Sequence, residues 1–217
     1  EMCIRDSAML EHASVGRISC MVILRDVVVL GSDDGMTQLY ALHLPNPHLE
    51  TRAALPGHTA GVLCCAASST WSIAVTGSAD HSVIVWDLNR CRFVRQLKEP
   101  DQPIQLVAID DQRGWIAAAA GSEVWVWSIN GFLLVHQSTR SATNDPPSSM
   151  AFVARDFHVD KLGVLVTGHR DCIVMWDIVS NHARATPPRW RLEKNTVLSL
   201  RQSSKVTCLY MPNTSTL

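Results

Sequence analysis

Three side chains in one short stretch, His58, Thr76 and Asp80, are of the types that hydrolytic enzymes use. An imidazole can take a proton from a hydroxyl while a carboxylate orients the imidazole, which turns the hydroxyl into a nucleophile. The signatures that accompany such chemistry are missing: no Gly-x-Ser-x-Gly elbow, no phosphate-binding loop, no Gly-x-Gly-x-x-Gly and no His-Glu-x-x-His. The acidic pairs Asp33–Asp34 and Asp110–Asp111 fall among turn residues, where Asp satisfies local backbone. Nine histidines stand singly (His12, His43, His48, His58, His81, His136, His158, His169 and His182), and each reads as a surface or capping residue. Seven cysteines (Cys3, Cys20, Cys64, Cys65, Cys91, Cys172 and Cys208) form no Cys-x-x-Cys, which reads as reduced, buried thiols. The expectation is no catalytic residue, no metal and no cofactor, with the trio serving structure.

The elements that hold the trio repeat along the chain. Four segments share a small-residue turn followed by an apolar strand that ends in an aromatic. They are Gly31–Tyr40, Gly77–Trp86, Gly121–Trp127 and Gly168–Trp176. The aromatics Tyr40, Trp86, Trp127 and Trp176 are 46, 41 and 49 residues apart, the period of WD-type propeller blades of four antiparallel strands. Strands are expected at Val62–Ala66, Ile73–Thr76, Ser82–Leu88 and Phe93–Leu97, then at Ile104–Ile109, Trp115–Ala119, Val124–Ile129 and Phe132–His136. Asn130-Gly131 suits a type I′ hairpin turn between the last two. The run Ser82–Leu88 is apolar on both faces, as a sheet sandwiched between neighbours can be. A fifth unit starts at Leu200–Leu209. The fold class is all-β: an incomplete WD-type β-propeller of about four blades plus the start of a fifth.

Gly57-His58 and Trp86-Asp87 are the dipeptides that name the WD repeat, and the resemblance implies a hydrogen-bonded structural tetrad of His58, Thr76, Asp80 and Trp86. Where the second blade has His58, the others offer Ser14, Pro100, Pro146 and Gln202. The third lacks the Asp. The fourth keeps Thr167, Asp171 and Trp176, with its Asp one residue nearer the Trp. The strings GSADHSVIVWDLNR, AAAAGSEVWVWSINGFLL and VLVTGHRDCIVMWDI resemble the carboxy-terminal WD40 propeller of BEACH-domain proteins. They look most like the lysosomal-trafficking-regulator and autophagy-linked FYVE protein branch. The resemblance implies a non-catalytic protein-interaction scaffold in vesicle trafficking, lysosome-related organelles or selective autophagy. It also implies a BEACH domain upstream and a cytoplasmic setting, peripheral at endomembranes. Proteins or peptides would bind a propeller face, with contacts at Asp33, Thr59, Ala60, Ala79 and Arg170. Two other classes stay open: a WD subunit or adaptor of another complex, such as a ubiquitin ligase adaptor or coat, and a propeller enzyme with His and carboxylates converging on the channel.

Composition narrows the partners. With 19 basic and 20 acidic residues the net charge is −1, which gives no electrostatic footprint for nucleic acid. Arg184, Arg189, Arg191 and Lys194 read as a solvated loop, and the sequence has no Arg-Arg pair of the kind on which phosphoinositide-binding propellers centre their lipid site. No apolar run approaches the roughly 18 residues of a membrane span. Residues 1–7, EMCIRDS, resemble the translation of a transposase adaptor used in sequencing libraries and are set aside, leaving 8–217 as the partial propeller. Seven blades of this period would need about 315 residues, so the 217-residue chain is expected to present apolar blade faces and to self-associate.

Overall fold

A computed structural model describes residues 16–45, 48–153, 163–180 and 190–199. Residues 1–7, Ser14, the fifth unit from Leu200, Arg184 and Arg189 lie outside the described residues, as do His12, His158, His182, Cys3 and Cys208.

Runs of β-branched and aromatic residues broken by Gly, Asp and Ser fold into four sheets of four strands each. The first comprises β1 (Ile18–Leu24), β2 (Val27–Ser32), β3 (Thr37–His43) and β4 (His48–Leu55). The second comprises β5 (Val62–Ser68), β6 (Ile73–Ser78), β7 (Val83–Asp87) and β8 (Arg92–Leu97). The third has β9 (Leu106–Asp110), β10 (Trp115–Ala120), β11 (Glu123–Ser128) and β12 (Leu133–Ser138). The fourth has β13 (Ser149–Val153), β14 (Gly163–Gly168), β15 (Cys172–Ser180) and β16 (Trp190–Ser199). Each is an antiparallel meander in chain order. The architecture is that of an incomplete β-propeller, and its first strands β1, β5, β9 and β13 meet blade to blade.

Burial follows from that stacking. Every residue of β2, β6, β10 and β14 is buried, because both faces of the second strand are covered. Leu39, Ala74, Ile84 and Trp86 fill the seam between the first two blades. Val75, Val85, Ile104, Ile116 and Trp127 fill the next seam, and Val126, Phe152, Leu165 and Trp176 the third. The glycine that opens each small-residue turn has a packing reason in the first two blades. A Cβ on Gly31 would stand 2.5 Å from Val62 Cγ1, and one on Gly77 2.5 Å from Ile104 Cγ2. Val62 of β5, and Ile104 just ahead of β9, therefore rest directly on glycine backbone.

Two expectations are corrected. Asn130 does not take the positive φ that a type I′ turn demands; only Gly131 does, at 83°. Gly131 N–H donates to Ser128 O and Ser128 N–H to Phe132 O, so Ile129 and Asn130 form a turn that Gly131 closes in the left-handed region. That is a three-residue hairpin loop. The thiols of Cys20, Cys64, Cys65, Cys91 and Cys172 are free, but they are partly rather than fully buried. Cys20, Cys64 and Cys65 lie on the first strands β1 and β5, which are covered less completely than the second strands.

Candidate functional site

His58 sits in the link between β4 and β5, Thr76 on β6, Asp80 in the β6–β7 turn and Trp86 on β7. The fold brings the four together. Trp86 Nε1–H donates to Thr76 Oγ1 at 2.8 Å, and Thr76 Oγ1 lies 2.8 Å from His58 Nε2. His58 Nδ1 lies 3.0 Å from Asp80 Oδ2. Thr76 has one proton; having accepted from the indole, it donates to Nε2, which leaves the imidazole proton on Nδ1, facing Asp80. Burial holds His58 below the usual imidazole pKa despite the neighbouring carboxylate, in keeping with that neutral tautomer. Burial alone would raise the Asp80 carboxyl, but Ser82 Oγ, Thr59 N–H and His58 all stabilise its charged form and hold it below the carboxylate norm.

This geometry decides what the trio can do. The His58 side chain has no exposed surface and Thr76 is fully buried, with both hydroxyl functions engaged inside the blade. The network ties the β4–β5 link and the β6–β7 turn to the core of one blade.

The fourth blade builds a related network around a different histidine. His169, where a surface or capping role is expected, is buried, and its Nε2 lies 2.9 Å from Thr167 Oγ1, which accepts from Trp176 Nε1–H at 2.8 Å. The same proton count puts hydrogen on Nδ1, which faces Asp145 O at 2.9 Å and Thr143 Oγ1 at 2.9 Å. Burial lowers the pKa of His169. Asp171, the expected turn acid, is exposed. The deletion of one turn residue moves the imidazole from the preceding link into the turn, where His169 follows Gly168 as Ser78 follows Gly77. That Gly-His in place of Gly-Ser was the signal in the sequence.

In the other two blades the network lapses. Ala118 occupies the register position of Thr76, and the buried Trp127 Nε1 has no partner among the described residues. In the first blade Leu30 takes that position and Tyr40 Oη donates to Gln38 Oε1 instead.

Four of the five expected contact positions meet on one face. Asp33 backbone lies against Gly61, and Gly35 lies against the carbonyls of His58 and Ala60. Ala79 N–H donates to Gly61 O, and Thr59 N–H to the Asp80 carboxylate. Asp33, Thr59, Ala60 and Ala79 thus line the rim between the first and second blades. Arg170 stands apart, in the β14–β15 turn, where it lines a cavity of about 810 Å³ between the third and fourth blades. Among the described residues no group of His, Cys, Asp and Glu could hold a metal ion, and no helix is long and apolar enough to cross a membrane.

The family described as WD domain, G-beta repeat matches residues 49–87, which span β4 to β7 and include all four members of the His58 network. BEACH domain-containing protein A2 of Arabidopsis thaliana is 34% identical over 172 residues, covering 75% of this chain and 5% of that protein. WD repeat- and FYVE domain-containing protein 4 of Mus musculus is 34% identical over 126 residues, 58% of this chain and 4% of that protein. The Lysosomal-trafficking regulator of Homo sapiens is 33% identical over 97 residues, 42% of this chain and 3% of that protein. The chain thus spans about 5% or less of the length of these curated relatives. Four four-stranded blades, a WD repeat in the second and relatives of this kind place the chain among the WD-repeat regions of BEACH-domain proteins.

Proposed function

We propose that the chain is a non-catalytic scaffold that binds proteins or peptides on the face formed by the links before β5 and β13 and the turns after β2, β6 and β14. The observation that carries this reading is the closure of the His58 network. The one trio with the makings of a nucleophile spends every polar function inside its blade, while Asp33, Thr59 and Arg170 on the face above are exposed. A rigid framework under exposed links and turns is the arrangement that lets a surface vary without disturbing the core. Given the relatives, the setting we propose is the cytoplasmic side of endomembranes, in vesicle trafficking, lysosome-related organelles or selective autophagy, as part of a protein that also holds a BEACH domain.

Proximity labelling tests this. The Thr59→Arg variant should lose a discrete set of labelled proteins that the unmodified chain retains, with the unfolding midpoint unchanged. A labelling profile indifferent to substitutions across this face would overturn the scaffold reading.

A further inference from the structure

The cavity between the third and fourth blades is bipolar. Gln105 and Leu106 line it from the third blade, and Asp145, Pro146, Pro147, Ser148 and Arg170 from the fourth. Both charged residues are exposed, and neither the Arg170 guanidinium nor the Asp145 carboxylate takes a hydrogen bond or ion pair from a described residue. Opposite charges on one rim that stay apart leave each other's partner position open.

The wall is built rather than loose. Ser148 N–H and Oγ–H both donate to Gly168 O, at 2.8 and 3.2 Å. Thr143 Oγ–H donates to Asp145 O at 3.1 Å, and the buried His169 reaches the same carbonyl. Pro146 and Pro147 bring fixed φ and no N–H, so the segment has little freedom left to lose when a ligand binds. His169 adjoins Arg170 in the chain, and its N–H donates to Cys172 O at 2.8 Å. His169 therefore braces both sides: its imidazole meets the Asp145 carbonyl, and its backbone N–H holds the turn that carries Arg170.

From this geometry we infer that the cavity is a docking site for a linear peptide in which an acidic and a basic side chain flank an apolar one. The acid meets Arg170, the base meets Asp145, and the apolar side chain lies against Leu106, Pro146 and Pro147. A volume of about 810 Å³ accommodates such a group of side chains. The two fixed charges make recognition depend on charge order, because the reversed peptide sets like charges against each other. The inference rests on the scaffold reading and assigns a partner class to one part of its face.

The test uses the full chain and fluorescent capped peptides with a central Leu, flanked by Glu and Arg in either order and at several spacings, with Gln replacing both charges as a control. One order should bind, and Arg170→Ala and Asp145→Asn should each weaken it about tenfold. The double variant Asp145→Arg/Arg170→Asp should prefer the opposite order. Since both side chains are exposed, these variants should keep the unfolding midpoint, which is measured alongside. Equal binding of both orders, binding indifferent to the two substitutions, or no binding by any peptide would overturn the docking site. The scaffold reading fails separately, on a labelling profile that no face substitution alters.

Discussion

A threonine hydroxyl that accepts from an indole and donates to an imidazole has one proton and has used it. Thr76 and Thr167 are both in this position, and each holds a tryptophan N–H that would otherwise be buried without a partner. Trp127 is the internal control: it is equally buried, at the same register position, and its Nε1 has no partner among the described residues. Substitution by Phe removes similar volume at all three sites but a hydrogen bond at only two. Trp86→Phe and Trp176→Phe should each cost about 1 kcal/mol more than Trp127→Phe, the net worth of a typical protein hydrogen bond. Urea unfolding of the three variants measures the gap; equal losses would mean that the indole bonds contribute nothing. The sequence alone could point to the first network, because His58, Thr76, Asp80 and Trp86 stand at the spacing of the repeat. For the second it offers only Gly168-His169 where the other units carry Gly-Ser. It is the antiparallel pairing of β14 with β15 that brings Trp176 onto the same hydroxyl that His169 meets.

Strands were easier to read than turns. The centres of β5 to β12 coincide with the expected runs because apolar, β-branched stretches between Gly, Asp and Ser have few other ways to bury themselves. Turn type depends on φ at single residues, and there the Asn130-Gly131 dipeptide misleads: Ile129 enters the loop and Gly131 alone takes positive φ. A further regularity has no signature in composition. In all four blades the pairing of the third with the fourth strand slips immediately before the aromatic, at Leu39/Tyr40, Val85/Trp86, Val126/Trp127 and Met175/Trp176. Such a bulge adds twist and redirects the side chain. The opening glycine of each unit looked like a turn residue, yet Gly31 and Gly77 are also seats for the next blade. Gly77→Ala sets a methyl 2.5 Å from Ile104 Cγ2 and 2.7 Å from Cys64 Sγ, within a seam that is already filled. Overpacking of this kind costs about 1–3 kcal/mol. Because the closest approach is to Ile104, the loss should be less than additive with Ile104→Ala in a double-mutant cycle. Hydrogen exchange should also quicken in β9 before β6. Full additivity would show that the two residues do not meet.

At the scale of the whole molecule, each blade is stable only as far as its two faces are covered. The inner seams meet that condition, with Val29, Leu39, Ala74, Val75 and Ile116 at zero exposure. The first blade meets it on one side only. Along β1, Val22 and Leu24 turn to the seam with the second blade, while Met21 and Ile23 stay 59% and 53% exposed and Ile18 53%. A run of exposed apolar side chains on a first strand carries the same driving force that closes the inner seams, with no described residue to receive it. The chain should therefore associate with itself through this face as concentration rises. Met21→Lys/Ile23→Lys places two ammonium groups on the exposed side and leaves Val22 and Leu24 in their seam. Sedimentation velocity over a concentration series should show the unmodified chain shifting to larger species and the variant remaining monomeric, with unfolding midpoints that agree at low concentration. If the unmodified chain stays monomeric throughout, the exposed strand is not an associating face. If the variant associates equally well, the association runs through another surface.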